Sequence, residues 1–141
     1  ASVEDGSGSG ARTMGASQGG SWSGSELDNP NSLLSTRTIY FDFDQSTIRS
    51  EFIDVLRTHA GYLNSNRSVV VTVEGHADER GSREYNIALG ERRANTVKRF
   101  LEAEGVDSTQ INTLSYGEER AAAYGHDEVS WAENRRAVLV Y

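Results

Sequence analysis

An arginine interrupts the apolar face of the longest helix that the sequence predicts. Apolar side chains recur every four positions over residues 84–104 and form one stripe of an amphipathic helix, at Tyr85, Leu89, Val97 and Leu101. Arg93 falls in the middle of that stripe. Because a guanidinium near a core needs a carboxylate, or a group that carries one, another segment of the chain must supply a partner for Arg93.

The nearest candidate lies just before this helix. Residues 75–81 read Gly-His-Ala-Asp-Glu-Arg-Gly, where an apolar strand ends and the helix is about to begin. We therefore expect Asp78 and Arg93 to be two halves of one small polar site. Spacing alone leaves two alternatives open, since the two charges can either neutralise each other or hold a ligand between them.

Composition limits the kinds of protein that this chain can be. The chain has 141 residues, one proline and 36% hydrophobic residues, which fits one modest domain plus some unstructured length. The absence of cysteine excludes disulfides, thiolate metal sites and a cysteine nucleophile. The net charge of −7 argues against general nucleic-acid binding, because phosphate contacts need a basic surface.

The chain changes character near Arg37. Residues 1–36 are dominated by glycine and serine and offer almost no apolar face, so we expect a flexible tether there. Residues 37–141 carry the periodic patterns of a folded domain. We place the boundary between tether and domain at this point.

Strands and helices alternate through the predicted domain. We expect strands at 38–43, 69–74, 111–116 and 136–141, main helices at 52–63 and 84–104, and a short helical turn at 130–134. Ser50 and Ser82 are the predicted N-caps of the main helices, and Gly105 the stop of the second. This order predicts an α+β fold, a two-layer sandwich with two main helices packed on one face of a mixed four-stranded sheet, because two helices cannot cover both faces.

The motifs around the polar site resemble a known family. Residues 75–81, followed by Tyr-Asn-Ile-Ala-Leu-Gly-Glu-Arg-Arg-Ala-Asn-Thr-Val at 85–97, are similar to the signature of OmpA-like peptidoglycan-binding domains. The match is greatest to the peptidoglycan-associated lipoproteins of that family, which residues 40–44, 115–117 and 133–138 also resemble in order and spacing. The resemblance covers roughly residues 37–141, and the expected sandwich is of the OmpA C-terminal type.

The resemblance implies a ligand, the free end of meso-diaminopimelate in the stem peptides of peptidoglycan. That end carries an ammonium and a carboxylate on one carbon. By resemblance, Asp78 would take the ammonium and Arg93 the carboxylate, while Phe43 and Asp44 would contribute a wall and a second acid. Three further residues match positions that shape the rim: Arg80, Asn86 and Leu89. Such binding needs no cofactor and no metal.

The resemblance also implies a cellular role. It indicates a non-enzymatic module on the periplasmic face of the outer membrane, held there by an N-terminal lipidated cysteine that this sequence does not contain. Such modules tie the outer membrane to the cell wall, with TolB and other Tol proteins as partners in envelope integrity and cell division. One alternative is another OmpA-like wall anchor without Tol partners.

Three histidines suggest an enzymatic alternative, a peptidoglycan hydrolase. His76 and Asp78 stand two residues apart at a strand end and could act as two metal ligands or as a base with its orienting acid. The sequence offers neither a third ligand at a recognisable spacing nor a nucleophile elbow, so we predict neither metal binding nor catalysis. His59 is expected in the core, and His126 in a solvated turn.

Two residues before the last strand are predicted to support the pocket from outside. Asn134 and Arg135 match an Asn-Arg-Arg element of the family. We expect them to fix the loop beside the pocket rather than to contact the ligand.

Overall fold

A computed structural model describes residues 24–141 of the chain. Its strands are β1 (Thr38–Tyr40), β2 (Val71–His76), β3 (Ile111–Gly117) and β4 (Arg136–Val140), and its α-helices are α1 (Ile53–Ser65), α2 (Arg83–Ala103) and α3 (Glu128–Asn134). Short 3₁₀ turns lie at Glu26–Asp28, Leu33–Ser35, Ser50–Phe52 and Ser108–Gln110. All the helices and strands that the sequence predicts in this part of the chain are present, with shifted ends.

The four strands form one mixed sheet in the order β1-β4-β2-β3. β2 pairs with β3 in parallel, whereas β4 is antiparallel to both β1 and β2. The register places Ile39 opposite Ala137, and Val73 opposite Leu139. The prediction of an α+β fold with a mixed four-stranded sheet is therefore confirmed.

A single core lies between the sheet and the two main helices. Alternate residues of the strands meet the apolar faces of α1 and α2 in it, because successive strand side chains point to opposite faces. Its strand members include Ile39, Val71, Val73, Ile111, Ala137 and Leu139, and its helix members include Leu56, Ala60, Leu63, Ala94, Val97 and Leu101. Both main helices thus cover the same face of the sheet, as predicted.

The unit that holds this core extends from Leu33 to Tyr141, with Leu34 buried in the turn at its start. A flexible tether over residues 1–36 and a domain over 37–141 stay predictions, and residues 1–23 lie outside the described residues. Among residues 24–141, none of the helices combines the length and the apolar character needed to cross a bilayer.

The helix ends agree with the sequence at α2 and differ at α1. The Ser82 hydroxyl accepts a hydrogen bond from the Tyr85 amide at 3.1 Å, and Gly105 follows α2 with φ of 100°. The expectation of a cap at Ser50 is wrong, since this residue opens a 3₁₀ turn and the N-cap position of α1 is Phe52. The first turn of α1 is thus entered from a tighter helix instead of from a capping side chain.

The first strand is shorter than predicted. It ends at Tyr40, and a turn follows in which the Gln45 amide donates to the Asp42 carbonyl at 3.1 Å. Phe43, the last residue of the predicted strand, lies in this turn and is 56% exposed. The next residue, Asp44, has a φ of 55°, a left-handed conformation that ends strand geometry.

Candidate functional site

A pocket of about 240 Å³ opens where the turn after β1, the loop after β2 and the first turns of α2 meet. Six of the seven residues predicted for the ligand site line it: Phe43, Asp44, Asp78, Arg80, Asn86 and Leu89. Gly81 and Tyr85 complete the lining. The seventh predicted residue, Arg93, is fully buried.

Two glycines bring β2 and α2 close together below the pocket. A Cβ atom on Gly75 would lie 1.7 Å from the Gly90 carbonyl oxygen, and one on Gly90 would lie 2.4 Å from the Ser115 hydroxyl. Any larger residue at either position would push helix and strand apart. This approach brings the middle of α2, which carries Gly90 and Arg93, against the end of β2.

Arg93 is held by main-chain carbonyls. Its Nε donates to the Gln45 oxygen at 2.8 Å, its Nη1 to His76 at 2.8 Å and its Nη2 to Asp42 at 3.1 Å. These bonds use three of the five N–H groups of a guanidinium. Burial lowers the pKa of Arg93 to about 10, against the opposing charge of Asp78, so the side chain stays charged at neutral pH.

Asp78 is not neutralised by Arg93, the first of the two alternatives that the spacing leaves open. Among residues 24–141, the ion pairs of Asp78 run to Arg80 and Arg135. Asp78 Oδ1 accepts from the Arg80 amide at 2.9 Å and from Arg80 Nε at 3.2 Å, and Oδ2 accepts from Arg80 Nη2 at 2.8 Å. Burial would raise the pKa of Asp78, but the hydrogen bonds and charge of Arg80 outweigh it and hold this pKa below its usual value.

Arg80 itself sits between two aromatic rings. Its guanidinium carbon lies 4.1 Å from the ring centroid of Phe43 and 4.1 Å from that of Trp131. The Trp131 indole N–H donates to Glu79 at 2.8 Å, which fixes the second ring beside the loop after β2. We call Phe43 and Trp131 the aromatic clamp. No sequence motif indicates Trp131, which lies 52 residues from Glu79 along the chain.

The opposite side of the pocket is built from the start of α2. The Tyr85 hydroxyl donates to the Asp44 carboxylate, which ties this helix to the turn after β1. The placement of Tyr85 on the buried stripe of α2 is thus wrong, because its ring is partly exposed at the pocket. Asn86 is buried and donates to Glu118 at 2.7 Å, so it joins the pocket to the loop after β3.

Asn134 and Arg135 support the site from the end of α3, just before the last strand. The Asn134 side-chain oxygen accepts from the amides of Ala122 and Ala123, which fixes the loop as predicted. Arg135 is buried, donates to the Phe41 carbonyl at 3.0 Å, and places its Nη1 3.6 Å from Asp78 Oδ2. Arg135 therefore adds positive charge directly beside the pocket acid.

The histidines do not form a catalytic arrangement with Asp78. His76 is buried and stacks on Tyr116 with the ring centroids 5.5 Å apart. Burial, with smaller contributions from Arg136 and Arg120, lowers its pKa to about 4, so it is neutral at pH 7. Within the described part of the chain, no three histidine or acidic side chains lie close enough to share a metal ion.

The other two histidines differ in surroundings. His59 is buried as predicted, with its ring nitrogens 2.6 Å from the Tyr141 hydroxyl and 2.8 Å from the Thr36 carbonyl oxygen. His126 is exposed, but it is more than a solvated turn residue, since it pairs with the Glu79 carboxylate at 2.6 Å. That carboxylate raises the pKa of His126.

Comparisons with known proteins agree with one another. The model of the OmpA family matches residues 40–135. The chain is 53% identical over 104 residues to the peptidoglycan-associated lipoprotein of Pasteurella multocida, covering 74% of this chain and 69% of that protein. It is 46% identical over 139 residues to the protein of the same name from Pseudomonas putida, covering 99% and 79% of the two chains. The crystal structure of the peptidoglycan-associated lipoprotein from Burkholderia pseudomallei superposes with a TM-score of 0.81 at 47% identity, covering 82% of this chain and 98% of that one.

Proposed function

The chain belongs to the OmpA family, among its peptidoglycan-associated lipoproteins, and on that basis we propose that it binds peptidoglycan without covalent attachment. The proposed role is a wall anchor on the periplasmic face of the outer membrane. Binding of this kind is a reversible association of the protein with its ligand, so it requires neither a cofactor nor a catalytic group.

The proposed ligand is the meso-diaminopimelate end of a stem peptide. One observation carries this proposal: a single small pocket combines a buried carboxylate, Asp78, with the apolar side chains of Phe43 and Leu89. A diaminopimelate end has an ammonium for the carboxylate and a chain of methylene groups for the apolar wall. Ammonium binding at Asp78 is supported by its lowered pKa, because the carboxylate is then charged throughout the physiological range.

The carboxylate of the ligand is assigned to Arg93, with Asp44 as a second acid at the rim. Two N–H groups of Arg93 remain beyond its three bonds to main-chain oxygens, and they are the donors proposed for the ligand. Asp44 lines the same pocket and is positioned by Tyr85. Arg80, Asn86 and Leu89 keep the rim positions proposed from the sequence.

Membership of this family is also the basis for proposing a lipid anchor and Tol partners. We propose that the complete protein is attached to the outer membrane by an N-terminal lipid and associates with TolB in envelope integrity and cell division. Capture of purified TolB by the chain would support the partnership. A chain that binds peptidoglycan but not TolB would instead be a wall anchor outside the Tol system.

Co-sedimentation with purified peptidoglycan sacculi tests the proposed function. We expect the wild type to pellet with sacculi, and soluble meso-diaminopimelate muropeptide to compete for it. The control variant Arg57→Ala should pellet as the wild type does, because Arg57 is an exposed arginine on α1, away from the pocket lining. No pelleting, or release of soluble fragments from the sacculi, would overturn the proposal of a non-enzymatic binder.

A further inference from the structure

The acid of the pocket is already occupied by an internal cation. The Asp78 carboxylate receives three hydrogen bonds from Arg80, and its side chain is 5% exposed. A ligand ammonium at this carboxylate competes with Arg80, whose two side-chain bonds and main-chain amide take three of its roughly four acceptor positions. Binding at Asp78 is therefore an exchange of partners rather than the filling of an empty site.

Arg80 can make such an exchange without disturbing the core. Its side chain is 32% exposed, and its guanidinium carbon lies over both rings of the aromatic clamp, 4.1 Å from the centroids of Phe43 and Trp131. Rings attract the face of a guanidinium, whereas its N–H donors lie in the plane and at the edge. The clamp can thus keep Arg80 at the pocket while its donors turn from one carboxylate to another.

We propose that Arg80 is a specificity-determining residue, which restricts the pocket to end groups that carry an ammonium and a carboxylate on one carbon. This inference rests on the proposed function. The ligand ammonium takes the place of Arg80 at Asp78, and the released guanidinium, still between Phe43 and Trp131, binds the ligand carboxylate together with Arg93.

The specificity follows from which charges are left without a partner. An ammonium alone, as at the end of a lysine side chain, separates Arg80 from Asp78 and gives the guanidinium no carboxylate in return. A ligand with both charges replaces one ion pair by two, so neither Arg80 nor Asp78 loses its partner. A partly buried charge that loses its partner raises the free energy of the complex. We therefore expect the ligand with both charges to bind more tightly than the ligand with an ammonium alone.

The test compares two muramyl tripeptides in calorimetric titrations, one ending in meso-diaminopimelate and the other in L-lysine. We expect the wild type to prefer the first by about tenfold or more, the range of one charge-assisted contact. Arg80→Ala should lower this ratio of affinities by about tenfold. The variant loses a donor for the carboxylate of the meso-diaminopimelate peptide, and the lysine peptide no longer competes with Arg80 for Asp78. Arg80→Lys should give an intermediate ratio, since it keeps the charge without the planar fork.

Arg83→Ala is the control for loss of an arginine. Arg83 stands three residues further on and pairs with Glu119 outside the pocket lining, so its removal should keep the wild-type ratio. Thermal melts establish that each variant is folded. A wild-type ratio in folded Arg80→Ala overturns the role of Arg80 and leaves the proposed function intact. A wild type that binds neither peptide, or both equally, overturns the diaminopimelate site itself.

Discussion

Two arginines at the same pocket are held in opposite ways. Arg93 is fully buried and donates to three main-chain carbonyls, whereas Arg80 is partly exposed and is held by one carboxylate, Asp78, and two rings. Main-chain carbonyls are fixed in position by the folded backbone, whereas a side-chain carboxylate can bind another cation. The inner arginine therefore maintains the shape of the site, and the outer one is free to take part in exchange.

The inner region joins three elements through one side chain. Asp42 and Gln45 lie in the turn after β1, His76 ends β2, and Arg93 belongs to α2. Because all three carbonyls point at one guanidinium, the position of Phe43 within that turn depends on a residue 50 positions away. Phe43 in turn holds Arg80, so the outer region is built on the inner one.

The largest expected effect is loss of stability on removal of the inner arginine. Arg93→Ala leaves the buried His76 carbonyl and the partly buried carbonyls of Asp42 and Gln45 without this donor, and we expect it to lower the free energy of unfolding by about 3 kcal/mol or more. Urea unfolding measures this change. Arg92→Ala is the matched control, because its side chain is exposed on the same helix and should cost less than about 0.5 kcal/mol.

A loss below about 1 kcal/mol in Arg93→Ala would break the comparison between the two arginines. It would mean that the carbonyls find other donors, and that Arg93 holds the shape of the site no more than Arg80 does. If such a folded variant also failed to bind sacculi, Arg93 would be chiefly a ligand-binding residue.

Removal of the pocket charge is expected to act on binding more than on stability. Asp78→Asn keeps the shape of the side chain but loses the negative charge for the ammonium, so affinity for the meso-diaminopimelate muropeptide should fall about tenfold or more. The melting temperature should fall only modestly, since Arg80 keeps both rings of the clamp and Arg135 keeps its ion pair with Glu128. Asp54→Asn, an exposed change on α1, should leave affinity unchanged. Wild-type affinity in Asp78→Asn would refute the assignment of the ammonium to this residue.

A smaller effect is expected from opening the aromatic clamp. Trp131→Ala removes one of the two rings that hold Arg80, and a cation–π contact at a partly exposed site contributes about 1 kcal/mol. Affinity for the same muropeptide should fall a few-fold. Val129→Ala changes an exposed residue of the same helix and should bind as the wild type does. Equal affinities for the two variants would show that Phe43 alone positions Arg80.

The architecture could be predicted from the sequence because local patterns carry it. The alternation at Val71 and Val73 and the four-residue spacing of Val97 and Leu101 record which face is buried, and the core contains all four. The order of strands and helices then leaves few arrangements. The earlier end of β1 does not follow from such local patterns, since the turn after it is bonded to Arg93, which lies far along the chain.

The partners inside the site were harder to predict for a physical reason. Main-chain carbonyls are present at every residue, so the sequence contains no sign that Arg93 would bind those of Asp42 and Gln45 rather than a carboxylate. The contacts of the aromatic clamp are equally hard to predict from the sequence. Trp131 meets Arg80 from α3, far along the chain, and nothing in its neighbourhood in the sequence indicates this contact.

The smallest predicted effect compares the same two regions through their histidines. His76, in the inner region, has a pKa lowered to about 4, whereas the pKa of His126, beside Glu79 in the outer region, is raised above the usual 6.5. Burial also lowers the pKa of His59. An NMR titration of the ring protons should therefore show one histidine that titrates above pH 6.5 and two that stay neutral to lower pH.

The variant His126→Gln should remove only the titration above pH 6.5, which would assign that signal to His126. His76 also makes the free energy of unfolding depend on pH. Its pKa in the folded chain lies below the unfolded value of 6.5, so between the two values protons bind the unfolded chain more strongly. The contribution of His76 to stability is complete above about pH 6.5 and declines as the pH falls toward 4. A His76 ring that titrated near 6.5 would mean that water enters the end of β2, where the His76 carbonyl holds Arg93, and the inner region would then be as open to exchange as the outer one.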